Sequence, residues 1–164
     1  MKKDRGFTLV EVMVVLAIMA VLTGLIGLSI SMLTSQRLKS AVSDTKSLMQ
    51  SAQTVAMSKD NCIVSFEQDS EGRCIVTSRS GSDKQLKEVE INSKITVVVT
   101  AGGTSYTVGA GTSVKIQYNR ETGGFKDCLV NDVAQGIPTE ISFTQGDRTI
   151  VLELATYTGK ISTK

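Results

Sequence analysis

One carboxylate, Glu11, stands at the head of an apolar run in which no other ionisable side chain appears until Arg37. A carboxylate in an apolar helix costs roughly 2.5 to 3.5 kcal/mol at mid-membrane on insertion scales, and less near the interface, so such a residue is functional by default. Just before it the chain changes character. The basic start Met1-Lys2-Lys3-Asp4-Arg5-Gly6 gives way to Phe7-Thr8-Leu9-Val10-Glu11. A cut between Gly6 and Phe7 would discard the basic leader and leave the hydrophobic segment on the mature chain. Glycine suits that position, because a protease cleft must accept an extended backbone and glycine blocks least. Thr8 carries a hydroxyl that can hydrogen-bond across packed helices or sit inertly at a helix N-terminus.

The usual catalytic groups are missing. With no histidine in the chain, Ser-His-Asp and Cys-His arrangements and imidazole metal sites are excluded. Gly109-x-Gly111 lacks the third glycine of a dinucleotide fingerprint and the Lys-Ser/Thr of a P-loop, and reads as a hairpin loop. Asp69-Ser70-Glu71-Gly72 has turn composition and lacks the ligand spacing of a calcium loop. The three cysteines, Cys62, Cys74 and Cys128, form no Cys-x-x-Cys. A hairpin of 61–67 and 73–79 places Cys62, Val64 and Phe66 on one face with Cys74 and Val76, as buried thiols. A disulfide from Cys128 to one of the others stays open, given an extracytoplasmic location. No enzyme, cofactor or metal is expected.

These residues need elements to position them. Residues 7–33 suffice to cross a hydrocarbon core about 30 Å thick at ~1.5 Å per helical residue, and Lys2, Lys3 and Arg5 favour a cytoplasmic N-terminus. Ala17-Ile18-Met19-Ala20 lies inside unbroken hydrophobicity, unlike a secretory cleavage site. Residues 34–58 continue as an amphipathic helix. Leu38, Ala41, Val42, Thr45, Leu48, Met49, Ala52, Val55 and Ala56 recur at spacings of three and four, with Arg37, Lys39, Ser43, Asp44, Lys46 and Gln50 on other faces. Residues 59–164 form a β-rich head, with strands expected near 62–67, 73–79, 86–91, 94–100, 113–118, 124–130, 139–145 and 148–156. Val97-Val98-Val99 marks the most buried of them. The expected fold is therefore α+β: a long helix whose outer half packs on antiparallel strands.

Charge adds an exclusion. The leader holds three of 18 basic and one of 16 acidic residues, which leaves 15 of each in the remainder. Such a balance lacks the basic excess of a nucleic-acid binder. Lys84, Lys87 and Lys94 are interleaved with Asp83, Glu88 and Glu90 as a solvated surface.

The stretch Gly6-Phe7-Thr8-Leu9-Val10-Glu11, behind a six-residue basic leader and ahead of an apolar run, resembles the leader of type IV prepilins. Pilus subunits share it with the pseudopilins of type II secretion and DNA-uptake machines. The resemblance implies that a prepilin peptidase cuts after Gly6 and methylates the new amino terminus at Phe7. It implies that Glu11 pairs with the free amino group of Phe7 on a neighbouring subunit, with Thr8 a minor candidate in the same contact. Where pilins often carry proline, Leu28 stands beside Gly24 and Gly27, so a melted segment would rest on glycine alone. Ile141-Ser142-Phe143, Arg148-Thr149-Ile150-Val151-Leu152-Glu153-Leu154 and Thr158-Gly159-Lys160-Ile161 resemble the closing pattern of H-type minor pseudopilins.

What the resemblance implies is a structural subunit, single-pass in the cytoplasmic membrane with its head outside, then built into a filament. Its partners would be the peptidase, other pilin or pseudopilin subunits, an assembly platform and a separate motor ATPase. Two other readings stand beside it. A competence pseudopilin would touch DNA through residues such as Arg73, Arg79 and Lys84, and a tethered extracytoplasmic β-domain would keep its leader.

Overall fold

Hydrophobic period decides the architecture: a period near 3.6 builds a helix up to residue 58, and alternation builds strands thereafter. The protein is described here by a computed structural model covering residues 8–58, 61–81 and 84–164, with the side chains of 24–34 outside the description. Helix α1 runs Leu9–Ser58. The chain divides into two compact units between Gln36 and Arg37.

In the second unit the expected apolar stripe is the buried one. Leu38, Val42, Leu48, Met49, Ala52 and Ala56 are almost wholly buried, in one cluster with Val64, Phe66, Val97, Ile116, Ile141, Phe143 and Leu152 from the strands. Val55 is only half-buried. Two antiparallel sheets supply the strand side of that cluster. The first contains β1 (Cys62–Gln68), β2 (Cys74–Ser80), β3 (Gln85–Ile91), β6 (Val114–Tyr118), β7 (Phe125–Val130) and β8 (Val133–Ala134). Its order is β3-β2-β1-β6-β7-β8. The second contains β4 (Thr96–Ala101), β5 (Thr104–Thr107), β9 (Pro138–Gln145), β10 (Arg148–Leu154) and β11 (Ile161–Thr163), in the order β11-β10-β9-β4-β5.

The eight expected strands are all present, with ends displaced by at most two residues; β11 stands where the resembled closing pattern has a glycine turn feed a last short strand, while β5 and β8 were not anticipated. Val97 and Val99 are buried and Val98 is half-buried, so β4 alternates as a two-faced strand must. Asp69 closes the β1–β2 turn. Its carboxylate accepts the backbone N–H groups of Glu71 at 2.9 Å and Arg73 at 2.8 Å.

One end of the unit is pinned by side-chain and main-chain bonds that cross between elements. The Gln53 amide on α1 donates to the Gly123 carbonyl at 2.9 Å and to the Thr158 carbonyl at 3.0 Å. These acceptors lie in the β6–β7 and β10–β11 connections, one from each sheet. Phe125 N–H, at the start of β7, donates to the Thr156 carbonyl in the β10–β11 connection at 2.9 Å. The Tyr118 hydroxyl donates to the Met49 carbonyl at 3.0 Å, so a buried polar atom is satisfied on the helix.

All three cysteines are free and buried. Register explains why none pairs: Cys62 lies opposite Ser80, Cys74 opposite Gln68 and Ile91, and Cys128 opposite Ile116. Burial pushes the Cys74 thiol up to about 12 and, with the neighbouring Asp127 charge, Cys128 to about 11. Cys62 is also raised by burial, against a hydrogen bond from the Ile63 backbone. Native protein should therefore leave a thiol-specific reagent such as DTNB unreacted at pH 8, and three thiols per chain should appear on unfolding in denaturant. The raised Cys74 and Cys128 thiols favour the protonated form in the folded state, so their contribution is full below about pH 9 and is lost as pH rises toward 11 to 12. The denaturation midpoint should fall across that alkaline window. Burial likewise raises the Tyr118 hydroxyl, with the Cys62 charge adding to it, which steepens the same loss.

Candidate functional site

The residues expected to matter most lie where α1 begins. Thr8 is its N-cap: the Glu11 N–H meets the Thr8 hydroxyl at 3.3 Å and the Thr8 carbonyl at 3.1 Å, and the Val12 N–H meets the same carbonyl at 3.2 Å. A helix start leaves its first N–H groups without intrahelical acceptors, and a threonine oxygen takes up one of them. Glu11 falls at the third helical position, completing the Thr-x-x-Glu spacing of a capping box. That spacing was present in the sequence. It gives Thr8 a local task at the helix N-terminus, one of its two expected places.

Glu11 also sits favourably in the first turn, where the positive end of the helix dipole stabilises a carboxylate by about 0.3 to 1 kcal/mol. Among the described residues its carboxylate has no hydrogen-bond or ion-pair partner. Around and beyond it, large apolar side chains are open on every side of the helix: Leu9 is 75 % exposed, Val10 67 %, Met13 63 %, Leu16 61 % and Val21 64 %. A helix apolar all round needs an apolar surrounding. Gly6 and Phe7, the expected cleavage and methylation residues, lie outside the described residues, as do leader residues 1–5 and the side chains of Gly24, Gly27 and Leu28. Among the described residues, no helix is long and apolar enough to cross a membrane; the expected span 7–33 extends into 24–34.

Replacing Thr8 tests the cap. Thr8→Val should speed amide exchange of Glu11 about fivefold or more in detergent micelles, since losing a cap costs about 1 kcal/mol. Thr8→Ser should preserve protection, and equal exchange in the two variants would deny the hydroxyl this role.

Elsewhere, charge is spent internally. Arg73 faces three carboxylates: Asp69 at 2.8 Å, Glu90 at 3.2 Å and Glu71 at 3.4 Å. Desolvation works to raise the Asp69 carboxyl, but the N–H groups of Arg73 and Glu71 together with the Arg73 guanidinium outweigh it and hold the group below its usual range. Of the residues named for DNA contact, Arg73 is thus committed to its own turn. Arg79 and Lys84 are exposed, at opposite sides of the β2–β3 connection. Among the described residues, no group of three or more His, Cys, Asp or Glu side chains is placed to hold a metal ion.

No curated protein and no solved structure matches the chain. The family model described as the prokaryotic N-terminal methylation motif matches residues 1–33, the segment that contains Gly6, Phe7, Thr8 and Glu11.

Proposed function

We propose that the protein is a type IV pilin-like filament subunit, made as a precursor, cut between Gly6 and Phe7 and methylated on Phe7. The observation that carries this reading is the match of the N-terminal methylation motif to residues 1–33. The capped helix start at Thr8 supports it, because α1 begins at Leu9, directly after the segment proposed to be cut, with its first turn closed by the Thr8 hydroxyl. In the proposed course, residues 7–33 hold the precursor in the cytoplasmic membrane with its N-terminus inside and its β-rich head outside. The apolar helices then leave lipid for a bundle of like helices, where apolar packing is kept. The finer assignment within this reading is an H-type minor pseudopilin. It is supported by the closing strands β9, β10 and β11, with Gly159 in the turn before β11.

Assembly would be mechanical, with the motor supplied by a separate ATPase. The competence reading shares the processing, and of its named DNA contacts Arg73 already pairs with three carboxylates. The test is mass spectrometry of the N-terminal peptide from native membranes, with and without the prepilin peptidase. A peptidase-dependent start at methylated Phe7 is the expected result. An intact leader in a peptidase-competent cell would return the protein to a tethered β-domain.

A further inference from the structure

The face of the first sheet turned away from the core carries a polar groove that the filament reading does not use. Along β1, Ile63, Ser65 and Glu67 alternate with the core residues Cys62, Val64 and Phe66. Register sets Ser65 between Thr77 on β2 and Lys115 on β6, and sets Ile63 opposite Arg79. Ile63, Ser65, Glu67, Arg79 and Lys115 line a groove of about 350 Å³. Thr77 lines an adjoining groove that shares Glu67 and Arg79 with the first.

The floor is unusual. Ser65 is 6 % exposed and Thr77 8 %, and their hydroxyl oxygens lie 2.6 Å apart. Each hydroxyl owns one proton. Their mutual bond uses one of the two, and among the described residues the other has no acceptor. Because Ser65 lines an open groove, that donor is left to solvent in the free protein, and an acceptor atom entering the groove at Ser65 would take it up. Two cationic side chains flank that point. Lys115 Nζ is 2.6 Å from Asp132 Oδ1, but the Asp132 side chain is 74 % exposed and the Lys115 ammonium has two further donors. Glu67 Oε1 already accepts from the Ser113 hydroxyl at 3.1 Å.

We propose that this groove is a binding site for a small organic carboxylate about the size of one sugar ring, such as a hexuronate. Its carboxylate would accept from the Ser65 hydroxyl and meet Arg79 and Lys115, with Thr77 donating to Ser65 behind it. The volume lies at the lower end of small-ligand sites, and a lone inorganic anion would fill little of it. The free oxygen of Glu67 and the Ile63 side chain then face the body of the ligand. Binding should be weak and should fall with salt, because the groove is open and the attraction is screened.

The experiment is an NMR titration of the isotope-labelled full chain in detergent micelles with D-glucuronate, D-glucose and inorganic phosphate in turn. Saturable shifts at the amides of Ser65, Thr77, Arg79 and Lys115 are expected with glucuronate. Ser65→Ala and Lys115→Gln should each weaken that binding about five- to tenfold, while Lys94→Gln, in the β3–β4 turn, should leave it unchanged. If Ser65→Ala fails to fold, the half-buried Lys115→Gln variant decides alone. Glucose binding equally well, phosphate binding equally well, or no saturable shift would each overturn the assignment.

Discussion

Gly159→Ala should be the most damaging single-methyl change in the head, lowering its stability by about 3 to 5 kcal/mol and its unfolding midpoint by roughly 10 °C or more. Two costs add there. Gly159 has φ +65, a left-handed conformation that an alanine adopts only at about 1 to 2 kcal/mol. A Cβ at this position would also collide with the Gly123 carbonyl oxygen and the Gln53 amide nitrogen, both parts of the bond that ties α1 to the β6–β7 connection. The collision pushes backbone against backbone, so no rotamer change relieves it. Displacing Gln53 leaves the Gly123 and Thr158 carbonyls without that donor, and lost hydrogen bonds of this kind cost about 1 kcal/mol each. Two other glycines separate the terms. Gly103, at φ +81 with open space around it, should cost only the conformational share when replaced by alanine. Gly109 has neither the positive φ nor a neighbour and should be near neutral. Urea unfolding of the three variants in the same detergent gives the ranking, and equal losses at 159 and 103 would show that the clasp with Gln53 contributes nothing.

The same residue shows what could be read in the sequence and what could not. A glycine between Thr158 and Lys160 reads as a turn, and the strand after it was anticipated from resemblance. Its reason lies 106 residues earlier in the chain, in the side chain of Gln53 on α1. Gln53 follows helical spacing like any surface residue, and only the tertiary fold makes it a donor to two distant carbonyls. Strands β5 and β8 were hidden differently. Thr104-Ser105-Tyr106-Thr107 has no apolar alternation, and Val133-Ala134 is two residues long, so neither carries a periodic signal. Long alternating runs such as Ile150-Val151-Leu152-Glu153-Leu154 were legible because one buried face is written into every second residue. At the N-terminus the Thr-x-x-Glu spacing of the helix cap was legible within four consecutive residues, while the expected cut between Gly6 and Phe7 lies outside the described residues. The hydroxyl pair Ser65 and Thr77 was not, because nothing local to either residue says that they face each other across two strands.

Glu11→Ala should leave cleavage after Gly6 intact and reduce incorporation into filaments about a hundredfold, if the filament reading holds. The carboxylate belongs to a helix whose neighbouring side chains are apolar and open, and it has no partner among the described residues of its own chain. In water that would mean little. Within a bundle of apolar helices an unpaired carboxylate is costly, so a cationic group from a second subunit is the arrangement that makes the residue tolerable. The proposed group is the Phe7 amine, which exists only after the cut. At 4 Å and an effective dielectric of about 20 the attraction is about 4 kcal/mol, and removing one member of a buried pair costs about 3 to 5 kcal/mol, mostly by stranding the other. That corresponds to a factor of one hundred or more in equilibrium population. Glu11→Asp keeps the charge but shortens its reach, and should fall between wild type and alanine. The measurement sets the mass of the processed N-terminal peptide beside the share of subunit recovered in sheared filaments. Full processing with filament recovery lost places Glu11 after the cut, in assembly. Filament recovery unchanged in Glu11→Ala would remove the charge pair from the mechanism and leave the helix dipole as the sole account of why a carboxylate stands there.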